Sequence, residues 1–421
     1  MKTLVCAVVM TALCLSQGFM HANASDFTLD IFGNANMDDT IDELDIEYVQ
    51  GIIDGTNDDT ELADANCDGA VDEEDIALIG QIIAGTEDEL FLIDASNRVV
   101  RLEMPVERIV SYSMTESIST CCALGVADRI VGIPDYMAGD KMKDFDVIFM
   151  SHPELAELQT VGNPYYSTPN LEIIASLEPD LIFVTYADAD SVQKSTGIPT
   201  VSYPSSDETA LALKGFKWTK MMGYILGRVE RADELSTYLN GKMNEVSSIT
   251  ADLSDEDKPK VYLAFWGQLT STPAFYGPVD VAGGKVVADE GATGPYSAHM
   301  WQVSKEQVIK WNPDVIFVHS IMKSFESDEA NISPDDILSD PDLKTIKAVQ
   351  DGAVYYTKAF EWGWDPAIGV IESFYMAKLL YPEEFADLDV EVTGNEILNE
   401  VYGVDGIWTS ISENFDLYRW S

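Results

Sequence analysis

Two segments of this chain, PNLEIIASLEPDLIFV at Pro169–Val184 and VSKEQVIKWNPDVIFV at Val303–Val318, run through the same features in the same order. A Glu (Glu172, Glu306) opens a short helical pattern, a Pro-Asp pair (Pro179-Asp180, Pro313-Asp314) ends it seven residues on, and an apolar run follows. Proline ends a helix because it lacks an N–H and crowds the preceding turn. A short run such as Leu-Ile-Phe-Val suits a strand covered on both faces, as in a parallel sheet. Each copy therefore predicts helix, tight loop and buried parallel strand, and two copies predict two similar α/β lobes. Each Glu sits where the helix dipole favours a carboxylate, at the polar end of its unit, so each lobe is expected to show one carboxylate to solvent.

The 421 residues suffice for two or three domains. Residues 1–24 read as a secretory signal: Met1-Lys2, an apolar stretch from Leu4 to Leu15, and Ala22-Asn23-Ala24 before Ser25. The mature protein is expected outside the cytoplasm, at the cell surface or in a periplasm-like space. No lipoprotein box surrounds Cys6 or Cys14, and no later run approaches the roughly 20 apolar residues of a membrane span. Cys67, Cys121 and Cys122 remain after processing, an odd set with no disulfide framework. Cys121-Cys122 read as small apolar helix residues. A formal net charge of −48, from 73 acidic and 25 basic side chains, argues against nucleic acid as a partner. Neither a phosphate-binding glycine loop nor G-x-S-x-G nor H-E-x-x-H occurs, and no enzymatic chemistry is expected.

Lys and Arg are absent from Ser25 to Asn97 and begin at Arg98, a composition step that marks a boundary. Within the acidic part, NANMDDTIDELDIEYVQGIIDG at Asn34–Gly55 is repeated with a period of 30 as DANCDGAVDEEDIALIGQIIAG at Asp64–Gly85. Calcium takes six to eight oxygens from a short loop, at alternating positions closed by a carboxylate at position 12. The second repeat supplies Asp64, Asn66, Asp68, the carbonyl of Ala70, Asp72 and Asp75, with Gly69 at the sharp turn. The first supplies Asn34, Asn36, Asp38, the carbonyl of Thr40, Asp42 and Asp45, but Asn34 lacks a charge and Asp39 stands where the turn wants glycine. The second loop is therefore expected to bind calcium more tightly. After each loop apolar residues recur at helical spacing: Ile46, Val49, Ile52, Ile53, then Ile76, Ile79, Ile82, Ile83. Two calcium loops, each followed by one helix, resemble a dockerin module over about Asp30 to Thr86. The resemblance implies a cohesin-bearing partner, faced by loop positions 10 and 11, here Glu43-Leu44 and Glu73-Glu74.

From about Leu90 onward five blocks follow in order: DASNRVVRLEMPVERIVSYS, ALGVADRIVGIPDY, VGNPYYSTPNLEIIASLEPDLIFVTY, MWQVSKEQVIKWNPDVIFVHS and AVQDGAVYYTKAFEWGWDPA. In these blocks the chain resembles the substrate-binding proteins of ABC transporters for Fe(III)-siderophores and vitamin B12. The resemblance implies two Rossmann-like α/β lobes joined by one long helix, the helical-backbone type of periplasmic binding protein, preceded here by the small all-α module. The expected organisation is signal 1–24, calcium-loop module 25–89, first lobe 90–207, connecting helix 208–253 and second lobe 254–421. Helical periodicity from Glu208 to about Leu253 suggests one internal stop near Gly241.

The family implication gives Glu172 and Glu306 the task of docking onto permease arginines, a charge-assisted pairing. Ligand contacts are expected from loops at the carboxyl ends of strands. The candidates are Tyr112, Tyr136, Tyr165 with Tyr166, Tyr186, Trp266, Trp301, Glu361, Trp362 and Trp364, because large rings give broad contact at low entropy cost. Few basic residues, Lys323 and Lys358, fall in plausible cleft loops, so an acidic, aromatic cleft better suits a corrinoid or a neutral ferric hydroxamate than an anionic catecholate. A haem would want a Tyr or His ligand, with His299 and His319 available. The expected protein is a monomeric receptor that hands a metal chelate or cobamide to an ABC permease with its ATPase. The alternative is a dockerin-borne component of a surface polysaccharide-degrading or polysaccharide-binding complex.

Overall fold

The computed structural model describes residues 27–113, 115–139, 142–143, 146–164, 168–185, 187–204, 216–265, 267–289, 300–319, 332–358 and 365–417. In the acidic module, helices Glu43–Ile53 and Glu73–Ala84 follow their loops directly. Each begins with a reciprocal capping box, Asp42 with Asp45 and Asp72 with Asp75, which satisfies helix N–H groups that would otherwise lack partners. Val49, Leu78, Ile79 and Ile82 form the buried side of the pair.

The module runs into an antiparallel hairpin, Glu89–Ile93 with Val99–Glu103. A bridge between Ile31 and Leu92, with Phe32 N–H donating to Phe91 O at 3.0 Å and Ile93 N–H to Asp30 O at 2.9 Å, fastens the start of the module to this hairpin. At the hairpin tip the buried Asp94 accepts from Ser96 and Arg98 N–H groups and, at 2.9 Å, from Ser202 N–H on the edge of the next sheet.

That sheet is parallel and five-stranded, in the spatial order Gln159–Thr160, Ile130–Ile133, Ile109–Tyr112, Leu181–Val184 and Thr200–Ser202. A second parallel sheet orders Lys285–Val286, Lys260–Ala264, Val315–His319 and Val354–Thr357. The two apolar runs singled out in the sequence, Leu181–Val184 and Val315–His319, are interior strands buried along their whole length. The Pro-Asp pairs do more than end helices. Asp180 accepts from Glu107 and Arg108 N–H groups at 2.9 and 2.8 Å, and Asp314 accepts from Lys260 N–H at 2.8 Å. In each lobe the aspartate clamps the start of the neighbouring strand, so the repeat is tertiary as well as local.

Between the sheets lie helices Lys217–Ile225 and Val229–Thr250. The expected stop near Gly241 is not there: the second helix passes through it for 22 residues, about 33 Å. An interior glycine costs a helix only about 1 kcal/mol, and burial of Ala232, Leu235, Leu239, Met243 and Val246 along one face outweighs that. The break comes instead at Leu226–Arg228. There the two helices cross closely, because a Cβ on Gly223 would meet the Ala232 Cβ at 2.6 Å. Arg231 ties three elements: its guanidinium donates to Ala123 O at 3.3 Å and to Glu400 O at 2.6 Å. Cys121 and Cys122 are buried free thiols in helix Thr115–Ala123.

Candidate functional site

Parallel strands gather loops at their carboxyl ends, and these two sheets set the candidate site there. In the first sheet the ends are Tyr112, Ile133, Val184 and Ser202; in the second they are Ala264, His319 and Thr357. Of the candidate aromatics, Tyr165, Tyr166, Tyr186, Trp266, Trp362 and Trp364 lie outside the described residues, as do Glu361, Lys323 and His299. Tyr112 is buried, its hydroxyl donating to Asn163 O at 3.0 Å, and it lines a cavity in the first lobe. Tyr136 is half-buried in the short turn Asp135–Met137 after strand Ile130–Ile133. Trp301 is half-buried in strand Met300–Gln302, which pairs antiparallel with Ser271–Pro273. Its indole N–H is buried and finds no acceptor among the described residues. A donor left so costs about 1–3 kcal/mol, a cost that an acceptor on a bound ligand would remove.

The second lobe's floor is polar, with Glu372 at its centre. Glu372, fully buried, accepts from Tyr276 OH at 2.7 Å, from Thr357 Oγ1 and from Lys358 N–H at 2.9 Å. Lys358, named in the sequence as a cleft cation, is only 6% exposed, and its ammonium lies 4.7 Å from the Phe415 ring centroid. The buried His319 ring, 4.8 Å from that of Phe265, is pushed down to about 3 by burial and by Lys358. Neutral and enclosed, it is poorly placed to serve as a protonated anion anchor.

Asp365 caps helix Pro366–Leu380 by accepting from Ile368 N–H at 3.1 Å and also accepts from the Tyr402 hydroxyl. Burial pushes its carboxyl up to about 6, with Asp146 adding repulsion. A folded-state value above the ordinary 3.8 means that the folded form holds the proton more tightly, so stability falls as pH rises from about 4 to 6. Asp365→Asn keeps the acceptor for Ile368 N–H and turns its amide N–H toward the Tyr402 hydroxyl oxygen, without the charge. It is expected to stabilise the fold by on the order of 1–3 kcal/mol at pH 8 and by much less near pH 4.5, as checked by urea melts at both values.

Glu172 and Glu306 are both exposed, in the first turns of helices Leu171–Ser176 and Lys305–Trp311. Each helix has a cap besides its Glu, Asn170 accepting from Ile173 N–H and Ser304 accepting from Gln307 N–H, both at 3.2 Å. The Glu306 carboxyl is held below the usual range by its own N–H and by Ser304.

The acidic loops are ordered by their own side chains. In the second, Asp64 accepts from Asp68 and Gly69 N–H, Asn66 from Asp68 N–H, Asp68 from Ala70 N–H, and Asp75 from Asn66 and Asp72 N–H. Gly69 turns at φ +95°, in the left-handed region that glycine tolerates. In the first loop Asn36 Nδ2 donates to Asp38 Oδ2 at 2.7 Å, and Asp39 is drawn outward to Lys220 at 2.6 Å. Ile41 N–H donates to Tyr224 OH at 2.8 Å, and Lys217 pairs with Asp30. Lys217, Lys220 and Tyr224 carried no functional sign in the sequence, because their partners are some 180 residues away. Asp45 and Asp75 are fully buried, and burial with neighbouring aspartates pushes both carboxyls up, Asp45 to about 6. Among the described residues, no group of three or more His, Cys, Asp and Glu side chains is gathered as a metal site. Any ion here must also draw on amide and main-chain oxygens.

Residues 109–360 match the profile of the family described as periplasmic binding protein. The molybdate-binding protein MolA of Haemophilus influenzae is 26% identical over 279 residues, covering 59% of this chain and 74% of its own. The petrobactin-binding protein YclQ of Bacillus subtilis is 23% identical over 249 residues, covering 58% and 73%. Among solved structures, a periplasmic solute binding protein from Veillonella parvula aligns with a TM-score of 0.60 at 20% identity, over 78% of this chain and 97% of its own. MolA bound to molybdate gives 0.60 at 22% identity, over 75% and 98%. At such identities the solved structures speak to the fold.

Proposed function

The chain belongs to the periplasmic binding protein family and is a solute-binding protein rather than an enzyme; from that premise we propose that it captures an iron–siderophore or cobamide between its lobes and delivers it to an ABC permease. The observation that carries this reading is the twin arrangement: two parallel sheets spanned by one long helix, each lobe offering an exposed Glu on an equivalent helical turn. The unbroken helix and the Arg231 tie resist hinge bending, so closure on the ligand is small. With Lys358 buried and His319 held neutral, an uncharged chelate fits better than a compact oxyanion such as the molybdate that MolA binds. Among the described residues no helix is long and apolar enough to cross a membrane.

A tryptophan-fluorescence titration against cyanocobalamin, ferrioxamine, haemin, molybdate and an oligosaccharide tests the reading. Quenching by a chelate is expected, and Trp301→Ala should weaken that binding by about 1–3 kcal/mol, the usual loss for a central aromatic anchor. Binding of the oligosaccharide alone would favour a polysaccharide-complex component instead.

The acidic module supports a second role, calcium-dependent attachment to a cohesin in the manner of a dockerin. Calcium suits the second loop because Asp75 is buried beside Asp64 with no basic side chain among the described residues to offset it, a charge imbalance that a divalent cation corrects. Asp64, Asn66, Asp68, Asp72, Asp75 and the Ala70 carbonyl would hold the ion, supplying hard oxygen donors throughout. In the first loop Asn34, Asn36, Asp38, Asp42, Asp45 and the Thr40 carbonyl would do so with less charge. The exposed Glu43-Leu44 and Glu73-Glu74 remain free to meet a partner.

A further inference from the structure

The first lobe holds a cavity of ≈ 520 Å³ at the carboxyl ends of strands Ile109–Tyr112 and Leu181–Val184, between helices Leu171–Ser176 and Ala189–Thr196. Its size falls in the range of small-molecule sites, about 300–1,000 Å³. Tyr112, Pro164, Pro169, Leu171, Ala187 and Val192 give it apolar walls. Ser191 and Ser195, both exposed, contribute hydroxyls, and among the described residues no Lys, Arg or His lines it. One carboxylate is present, that of Asp188, but it caps the second helix by accepting from Ser191 N–H at 3.2 Å and from Ser191 Oγ at 3.3 Å. An anionic group entering this space would meet no opposite charge among the described residues, whereas an alkyl or aryl group would gain by leaving water.

Resting on the chelate reading above, we infer that this cavity is a specificity subsite that takes the uncharged hydrocarbon arm of a metal chelate. The protein would then grip its ligand by two different parts, the metal-bearing head in the cleft and the arm in the first lobe. A compact ligand without an arm would forgo the second grip. Discrimination among chelates of equal charge would therefore come from one lobe alone.

The test compares two iron complexes with the same hydroxamate head: a ferric trihydroxamate joined by pentamethylene arms, and ferric tris(acetohydroxamate), which has none. Calorimetric titration of the full chain is expected to show the armed complex bound at least tenfold more tightly. Ser191→Trp and Ser195→Trp each fill the cavity from an exposed helix position that the fold does not depend on. Each is expected to weaken the armed complex by at least tenfold and to change the armless one by less than twofold, with unchanged circular dichroism. Equal affinity of the native chain for both complexes, or an armed complex indifferent to both variants, overturns the subsite and leaves the receptor reading standing. Failure of the native chain to bind either complex overturns the ferric-chelate reading and the subsite with it.

Discussion

The double variant Glu172→Ala, Glu306→Ala is expected to lower uptake, or ligand-stimulated ATPase activity of the permease, by roughly tenfold or more while leaving ligand affinity within about twofold. Both carboxylates are exposed, and the first turn of each helix keeps a cap in Asn170 or Ser304. Removing them therefore costs the isolated protein little. What is lost is a pair of anions at corresponding places on two lobes, which a membrane partner with paired arginines could engage together. Because two contacts on one rigid body reinforce each other, each single variant should lose more than half of the logarithmic effect of the double. Reconstituted transport assays with each variant check this. A double variant that no longer binds ligand would show that these carboxylates serve the cleft or the fold.

Calcium removal should separate the acidic module from the lobes. If the ion binds only the ordered loops, saturation at about a thousand times the dissociation constant stabilises them by about 4 kcal/mol, a large share of what a module this small can have. Chelation is then expected to melt Asp30–Thr86 and abolish cohesin binding, with ligand binding retained. Within the module Asp75→Ala should be more damaging than Asp45→Ala. The second loop has its glycine turn and three aspartates among its first, third, fifth and twelfth positions, whereas the first commits Asn36 to Asp38 and sends Asp39 to Lys220. Differential scanning calorimetry with and without calcium, followed by titration of each variant, gives the readout. Equal sites, or a tighter first loop, would contradict the ranking.

The two-lobed α/β architecture could be read from the chain because its cause is local: the Pro-Asp punctuation and fully apolar runs need no distant partner to be recognised. The place of the helix break was not so legible. Gly241 looked like a stop because glycine is a poor helix former, yet burial along one helical face carried the helix through it, and a close crossing at Gly223 accompanied the break near Leu226. Hidden too was the second task of Asp180 and Asp314, since the strands they clamp begin at residues 109 and 260. Charge type alone suggested Lys358 for the cleft, and only packing against Phe415 put it in the interior. The docking of the first acidic loop on Lys217, Lys220 and Tyr224 had no periodicity to announce it. Such contacts are set by which surfaces meet after folding.

Residues 86–88 alone separate the turn after helix Glu73–Ala84 from the hairpin, and the Ile31–Leu92 bridge and the Lys220–Asp39 pair brace that short connection. A receptor on a floppy leash would sample every heading and meet its transporter by chance rotation. Here, a partner bound to the acidic repeats, as proposed, would also aim the mouth of the receptor. The heading of the cleft would then be set by the anchor itself, and a scaffold could array many such receptors with their mouths facing the same way.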